Sequence, residues 1–192
     1  TGCWNFGNED SANLTAFGYF LKADLTLGKN RILKDFAAAS FPGCDAEKMR
    51  LAWEQFAFAM RNYPFSVPFL YYSPVNHALT LLPEPGPLQK GGVGRSWLPD
   101  RRGDDYRESL SEAMPLEEII PRLGELAERW QEGVEIMRKA LSGINSPLAT
   151  AETGNAMVCA AAWRSSYLLY RMYQMKLDWT EASLPLFLEL IK

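Results

Sequence analysis

The chain has 192 residues, 47% of them hydrophobic and 12% aromatic, with a net charge of −3; that balance belongs to a chain that buries a core and argues against disorder. Its 20 Lys and Arg face 23 Asp and Glu with no basic block, so it lacks the clustered cations needed to track a phosphate backbone, which argues against a nucleic-acid partner. No apolar run reaches membrane-spanning length, and a single histidine, His77, excludes a zinc site built from several imidazoles.

Residues 1–8 are short and aromatic, with Trp4 and Phe6 alternating with smaller residues as at the tail of a strand. Asn8 or Asp10 can cap a first helix whose apolar stripe is Leu14, Phe17, Leu21 and Leu25. A second buries Ile32, Leu33, Phe36 and Ala37 and stops at Phe41-Pro42-Gly43. Asp45 caps a third, which runs to about Asn62 with Met49, Ala52, Trp53, Phe56 and Met60 at helical spacing.

Residues 63–114 keep neither period, and Pro and Gly recur throughout. A loop of this length is uncommon unless it is functional or disordered, and its first half is too aromatic for disorder. That half is either the floor of a crevice or a strap across a neighbouring surface. A fourth helix begins near Pro115 or Pro121 and carries Leu116, Ile120, Leu123, Ala127, Trp130, Val134, Met137 and Leu141, a narrow seam of the antiparallel-bundle kind that Gly143 ends. Ser146-Pro147 reads as an N-cap with Pro at the first helical position. The fifth helix then runs through Met157, Val158, Ala161, Trp163, Tyr167, Leu168, Tyr170, Met172 and Tyr173, and Ala160 to Ala162 place it at the centre of the bundle. Asp178 or Thr180 starts a sixth. The expected fold is all-α, a helical bundle of about five to six helices with a long irregular loop rich in Pro, Gly and aromatics.

No complete catalytic constellation appears. Lys90-Gly91-Gly92-Val93-Gly94-Arg95-Ser96 has the glycines of a phosphate loop, but Arg95 stands where the phosphate-binding Lys belongs and Leu98-Pro99 replaces the helix that would follow. Asp104 and Asp105 could serve acid–base chemistry; adjacent residues usually point apart and the neighbouring arginines keep both ionised, so a solvated or interface loop is the better reading. Cys3, Cys44 and Cys159 lack metal-ligand spacing and read as small buried hydrophobes. No metal and no cofactor is called for. Trp53, Trp130 and Trp163 lie on apolar faces and read as core, whereas Trp4 and Trp97 lie off regular elements, where a flat ring can stack on a sugar or a base. Asn13-Leu14-Thr15 fits a glycosylation sequon but falls within an expected helix, and is discounted for that reason.

Three stretches together resemble the C-terminal region of bacterial proteins similar to glycoside hydrolases with a (β/α)8 barrel, in the style of the hexosaminidase-like families. They are Trp4-Asn5-Phe6-Gly7-Asn8 with Asn13-Leu14-Thr15-Ala16; Ala52-Trp53-Glu54-Gln55-Phe56 leading to Tyr63-Pro64-Phe65-Ser66-Val67-Pro68-Phe69-Leu70-Tyr71-Tyr72-Ser73-Pro74; and Trp163-Arg164-Ser165-Ser166-Tyr167. The resemblance implies that residues 1–8 end a preceding domain as its last barrel strand, and that 9–192 form an accessory helical domain packed on that barrel. Barrel active sites lie at the C-terminal ends of the strands, so Trp4 would wall a pyranose face while Asn5 and Asn8 bond hydroxyls. Tyr71, Tyr72 and Trp97 would edge the same sugar-binding crevice. The catalytic carboxylates would sit on earlier strands, leaving this stretch inactive by itself.

The leading expectation is thus a non-catalytic C-terminal accessory domain of a carbohydrate-active enzyme, with the parent barrel, and through it a carbohydrate, as partners. Both ends read as cut, so any leader lies outside the 192 residues and the compartment is not specified. The alternative is a self-contained helical binding module. A stand-alone enzyme built on His77 ranks last.

Overall fold

The computed structural model describes residues 12–74, 84–88 and 104–191, with side chains from Thr15 onward. Among them the fold is all-α, a helical bundle with no strand. Seven helices follow in order: α1 Ala12–Phe20, α2 Lys29–Ser40, α3 Ala46–Met60, α4 Val67–Tyr72, α5 Leu116–Ala140, α6 Pro147–Leu177 and α7 Leu184–Ile191. The chain divides into two compact units, Thr1–Phe58 with Arg129–Ala160 and Ala59–Glu128 with Ala161–Lys192, and α5 and α6 supply segments to both.

Local chemistry sets most helix ends. Asp45 caps α3 as expected, its Oδ1 accepting from Lys48 N at 3.0 Å. Ser146 caps α6, its Oγ accepting from Ala149 N at 3.1 Å with Pro147 in the first helical position. After α5 the chain reverses through Gly143, whose φ of 80° is left-handed and suits a residue without a Cβ.

The first unit closes over Phe36, Phe41, Met49, Ala52, Val134, Met137 and Leu141, with Ala149, Ala156 and Ala160 of α6 against them. Trp130 packs on Phe56 in a tilted arrangement, 4.5 Å between ring centres, and donates from Nε1 to Ala156 O at 2.9 Å. Gly133 makes room for that pair: a Cβ there would stand 2.5 Å from Phe56 Cε1. The second unit is built on Phe69, Tyr106, Ile119, Leu123, Leu126, Tyr170, Tyr173 and Phe187.

Several expected positions shift. α1 stops at Phe20, and Asp24 then accepts from Thr26 N to set a tight turn over Leu25–Leu27; this breaks the helical phase, and Leu21 and Leu25 are exposed rather than on a buried stripe. On α3 the buried face is Met49, Ala52 and Ala59, and Met60, one residue round, is exposed. On α5 the seam passes through Ile119 rather than Ile120. Helix α6 is not wrapped on all sides: Met157, Val158, Ala161 and Ala162 face solvent opposite Ala156 and Ala160. A run of alanines has little apolar area to bury, so it does not compel enclosure. Finally, the loop of 63–114 is not irregular throughout, since it contains α4 and a turn of 3-10 helix at Arg107–Ser109.

Candidate functional site

Helix α4 lies at the centre of the aromatic stretch. Ser66 caps it, with Oγ accepting from Phe69 N at 3.2 Å, and Pro68 sits in its first turn, where a missing N–H costs nothing. A six-residue helix is too short to stand alone, so its stability comes from packing. Phe69 is fully buried, stacked on Tyr170 at 5.9 Å and met edge-on by Tyr63 at 5.4 Å, while Tyr63 in turn meets Trp163 at 5.9 Å. Burial of Phe69 turns the other face outward. Val67, Leu70 and Tyr71, at i, i+3 and i+4, share that face; Val67 is 65% exposed and Tyr71 42%, and Phe65 just before them is 71% exposed.

Beneath α4 lies the turn Arg107–Ser109, packed against it. This turn is fixed to α6 by hydroxyls. Ser109 Oγ donates to Tyr106 O at 2.6 Å and stands 2.5 Å from Tyr170 Oη, and Tyr173 Oη donates to Asp105 Oδ1 at 2.9 Å. Burial pushes the phenols of Tyr170 and Tyr173 up from their ordinary value, and for Tyr173 the adjacent Asp105 carboxylate adds to the effect. Both rings stay protonated at any physiological pH.

One turn further along α6, Lys176 is buried to 1% of its side chain. Its ammonium pairs with Asp104 Oδ2 at 2.9 Å, donates to Glu84 O at 2.6 Å and lies 5.9 Å from the centre of the Phe187 ring. Leu88 N returns a bond to Lys176 O at 3.2 Å, satisfying a carbonyl that the helix end leaves over. Of the solvated or interface loop expected around Asp104 and Asp105, the solvated reading is corrected: their side chains are only 15% and 17% exposed, and each has a partner on α6. The physical reason is Lys176, which would be an uncompensated buried charge without Asp104.

Of the residues read as sugar-binding, the structure places Tyr71 on the exposed face of α4 and Tyr72 half-buried beside it. Trp4, Asn5, Asn8 and Trp97 lie outside the described residues, as do His77 and the glycine-rich stretch from Lys90 to Ser96. Trp53, Trp130 and Trp163 are half-buried and packed on aromatic neighbours, which fits their reading as core. Cys44 and Cys159 are also half-buried, and burial raises both thiols above the ordinary value, which leaves them poor nucleophiles. Among the described residues no three His, Cys, Asp or Glu side chains gather to hold a metal ion, and no helix is long and apolar enough to cross a membrane. Sequence reasoning missed Lys176. A lysine in the last turn of a helix reads as a favourable charge at the dipole's negative end, and nothing nearby announces a partner as distant as Asp104.

No family model, curated protein or solved structure matches this chain.

Proposed function

We propose that the chain is a non-catalytic helical accessory module that acts by docking, with α4 bearing on the barrel domain of a carbohydrate-active enzyme. The observation that carries this is the presentation of Phe65, Val67, Leu70 and Tyr71 to solvent from a helix whose opposite side is anchored by Phe69. Large apolar side chains grouped and held rigid are what an interface needs, because little side-chain or backbone freedom is then lost on association. The ionisable and hydroxyl groups behind α4 bond to one another, Lys176 to Asp104, Tyr173 to Asp105 and Tyr170 to Ser109, which favours a supporting role over chemistry. The nature of the partner comes from the resemblance of the Trp4, Tyr63 and Trp163 stretches, with Tyr71 and Tyr72 at the edge of the sugar crevice.

Reading the coding region upstream of Thr1 tests the proposal. Roughly 250 or more residues of alternating strand and helix pattern, with carboxylates at strand ends, are expected. A start codon directly upstream would refute it and leave a self-contained binding module. In the longer protein, Val67→Asp combined with Tyr71→Ala should lower glycoside turnover at least tenfold, and unchanged turnover would remove α4 from the interface.

A further inference from the structure

From Leu177 to Ile191 the chain is apolar and acidic at once: Asp178, Glu181 and Glu189 are its only charged residues. Helix α7 is held on one side. Phe187 is fully buried in a cluster with Leu169 and Met172 and is met edge-on by Trp179 at 5.4 Å. Thr180 and Ser183 close a capping box on the 3-10 turn, Glu181–Ser183, that leads into the helix. At about 100° per residue, fixing Phe187 inward sets Leu184, Leu188 and Ile191 along one outer flank, where they are 39–44% exposed. Steps of four and then three residues make the seam along which two helices pack side by side.

Carboxylates border this seam. Leu184 N donates to Glu181 O, and residues three apart in a 3-10 turn eclipse, so Glu181 heads the stripe. Glu189, one position past Leu188, flanks it on the side away from Phe187. Asp178, Glu181 and Glu189 are exposed, and among the described residues none of them is in an ion pair. The nearest cation in sequence, Lys176, is buried against Asp104.

We propose that the outer flank of α7 is a docking seam for a basic amphipathic helix of a partner protein. Its apolar side chains, at i, i+3, i+4 and i+7, lie along Leu184, Leu188 and Ile191, and its Lys or Arg side chains meet Glu181 and Glu189. Charge selects this occupant. A second copy packed α7 to α7 would bring like carboxylates together with no Lys or Arg from 177–191 to offset them, whereas a basic helix supplies the missing countercharges. The buried Phe187 and the capping box hold the seam in place before binding, so little ordering is left to do. This surface is separate from α4 and does not rest on the reading of α4.

A fluorescein-labelled peptide of Leu and Lys, roughly 15 residues long with leucines at that spacing, tests the seam on the full chain. Fluorescence anisotropy should show saturable binding that weakens as salt rises, and the same peptide with Glu in place of Lys should bind about tenfold more weakly or not at all. Leu184→Ser with Leu188→Ser should weaken the Lys peptide about tenfold. Glu181→Gln with Glu189→Gln should weaken it about threefold and flatten the salt dependence. Val158→Ala, which trims an exposed apolar side chain elsewhere, should change nothing. Equal binding of the two peptides, an equal loss in Val158→Ala, or no loss in the seam variants would each overturn the proposal. So would a dimer in sedimentation that the serine pair dissolves, since the seam would then belong to a second copy. Should the serine pair fail to fold, the glutamine pair, which keeps side-chain shape, decides alone. The peptide assay needs no glycoside and the α4 variants are read by turnover, so the two proposals fail separately.

Discussion

Replacing Ser109 with Ala should destabilise the protein more than replacing Tyr170 with Phe, although the two share one hydrogen bond. Ser109 Oγ donates to Tyr106 O at 2.6 Å and lies 2.5 Å from Tyr170 Oη. A serine hydroxyl carries one proton. With that proton on the Tyr106 carbonyl, Tyr170 must be the donor in the second bond. Tyr170→Phe then removes a donor and leaves the Ser109 proton satisfied, at about 0.5–1.5 kcal/mol for one neutral hydrogen bond. Ser109→Ala removes both bonds and strands the buried Tyr170 hydroxyl. That costs about 1–3 kcal/mol for the orphaned group and about another 0.5–1.5 for the bond to Tyr106, or about 1.5–4.5 kcal/mol together. In the double variant no hydroxyl is stranded, so it should be no less stable than Ser109→Ala alone. Urea denaturation with a common slope would measure all three. Equal losses for the two single variants, or a double variant whose loss is the simple sum, would show that the protons are arranged the other way.

Alkaline pH should weaken the second unit. Burial raises the folded-state values of Tyr170 and Tyr173 above the unfolded tyrosine value of about 10, so their contribution is complete below that pH and is lost as pH climbs above it. Each should remove about 1.4 kcal/mol per pH unit. Unfolding free energies at stepped pH, with Tyr173→Phe flattening the slope by one proton's worth, would check this; constant stability from pH 9 to 11 would contradict it. Two glycines of the long helices should respond with opposite sign. Gly154 has nothing within 4 Å of an added Cβ, so Gly154→Ala should stabilise by about 0.5–1 kcal/mol through helix propensity. Gly133→Ala gains the same propensity but drives a methyl into the Phe56 ring, which already packs against Trp130, for an overpacking cost of about 1–3 kcal/mol. A net loss is expected in thermal or urea unfolding, and a stabilised Gly133→Ala would mean that Phe56 has room to move.

The sequence by itself determined the helical class, the caps at Asp45 and Ser146, the stop at Phe41-Pro42-Gly43 and most of the α5 seam, because each depends on residues within a turn or two of one another. It also marked the aromatic stretch around Tyr71, since that many rings in an irregular segment must be buried or must bind. It could not show that Val67–Tyr72 is a helix, because six residues are too few for a period to emerge and so short a helix depends on tertiary packing such as that of Phe69 on Tyr170. Nor could it show which side of α6 would be left bare at Ala161 and Ala162. Tertiary structure alone decided the partners of Asp104 and Asp105, 68 residues separating Asp105 from the Tyr173 hydroxyl that meets it. A carboxylate, a phenol and an ammonium look the same in sequence whether solvated or buried. Only the fold, by taking Lys176 out of water, requires a countercharge and so determines where the loop must lie.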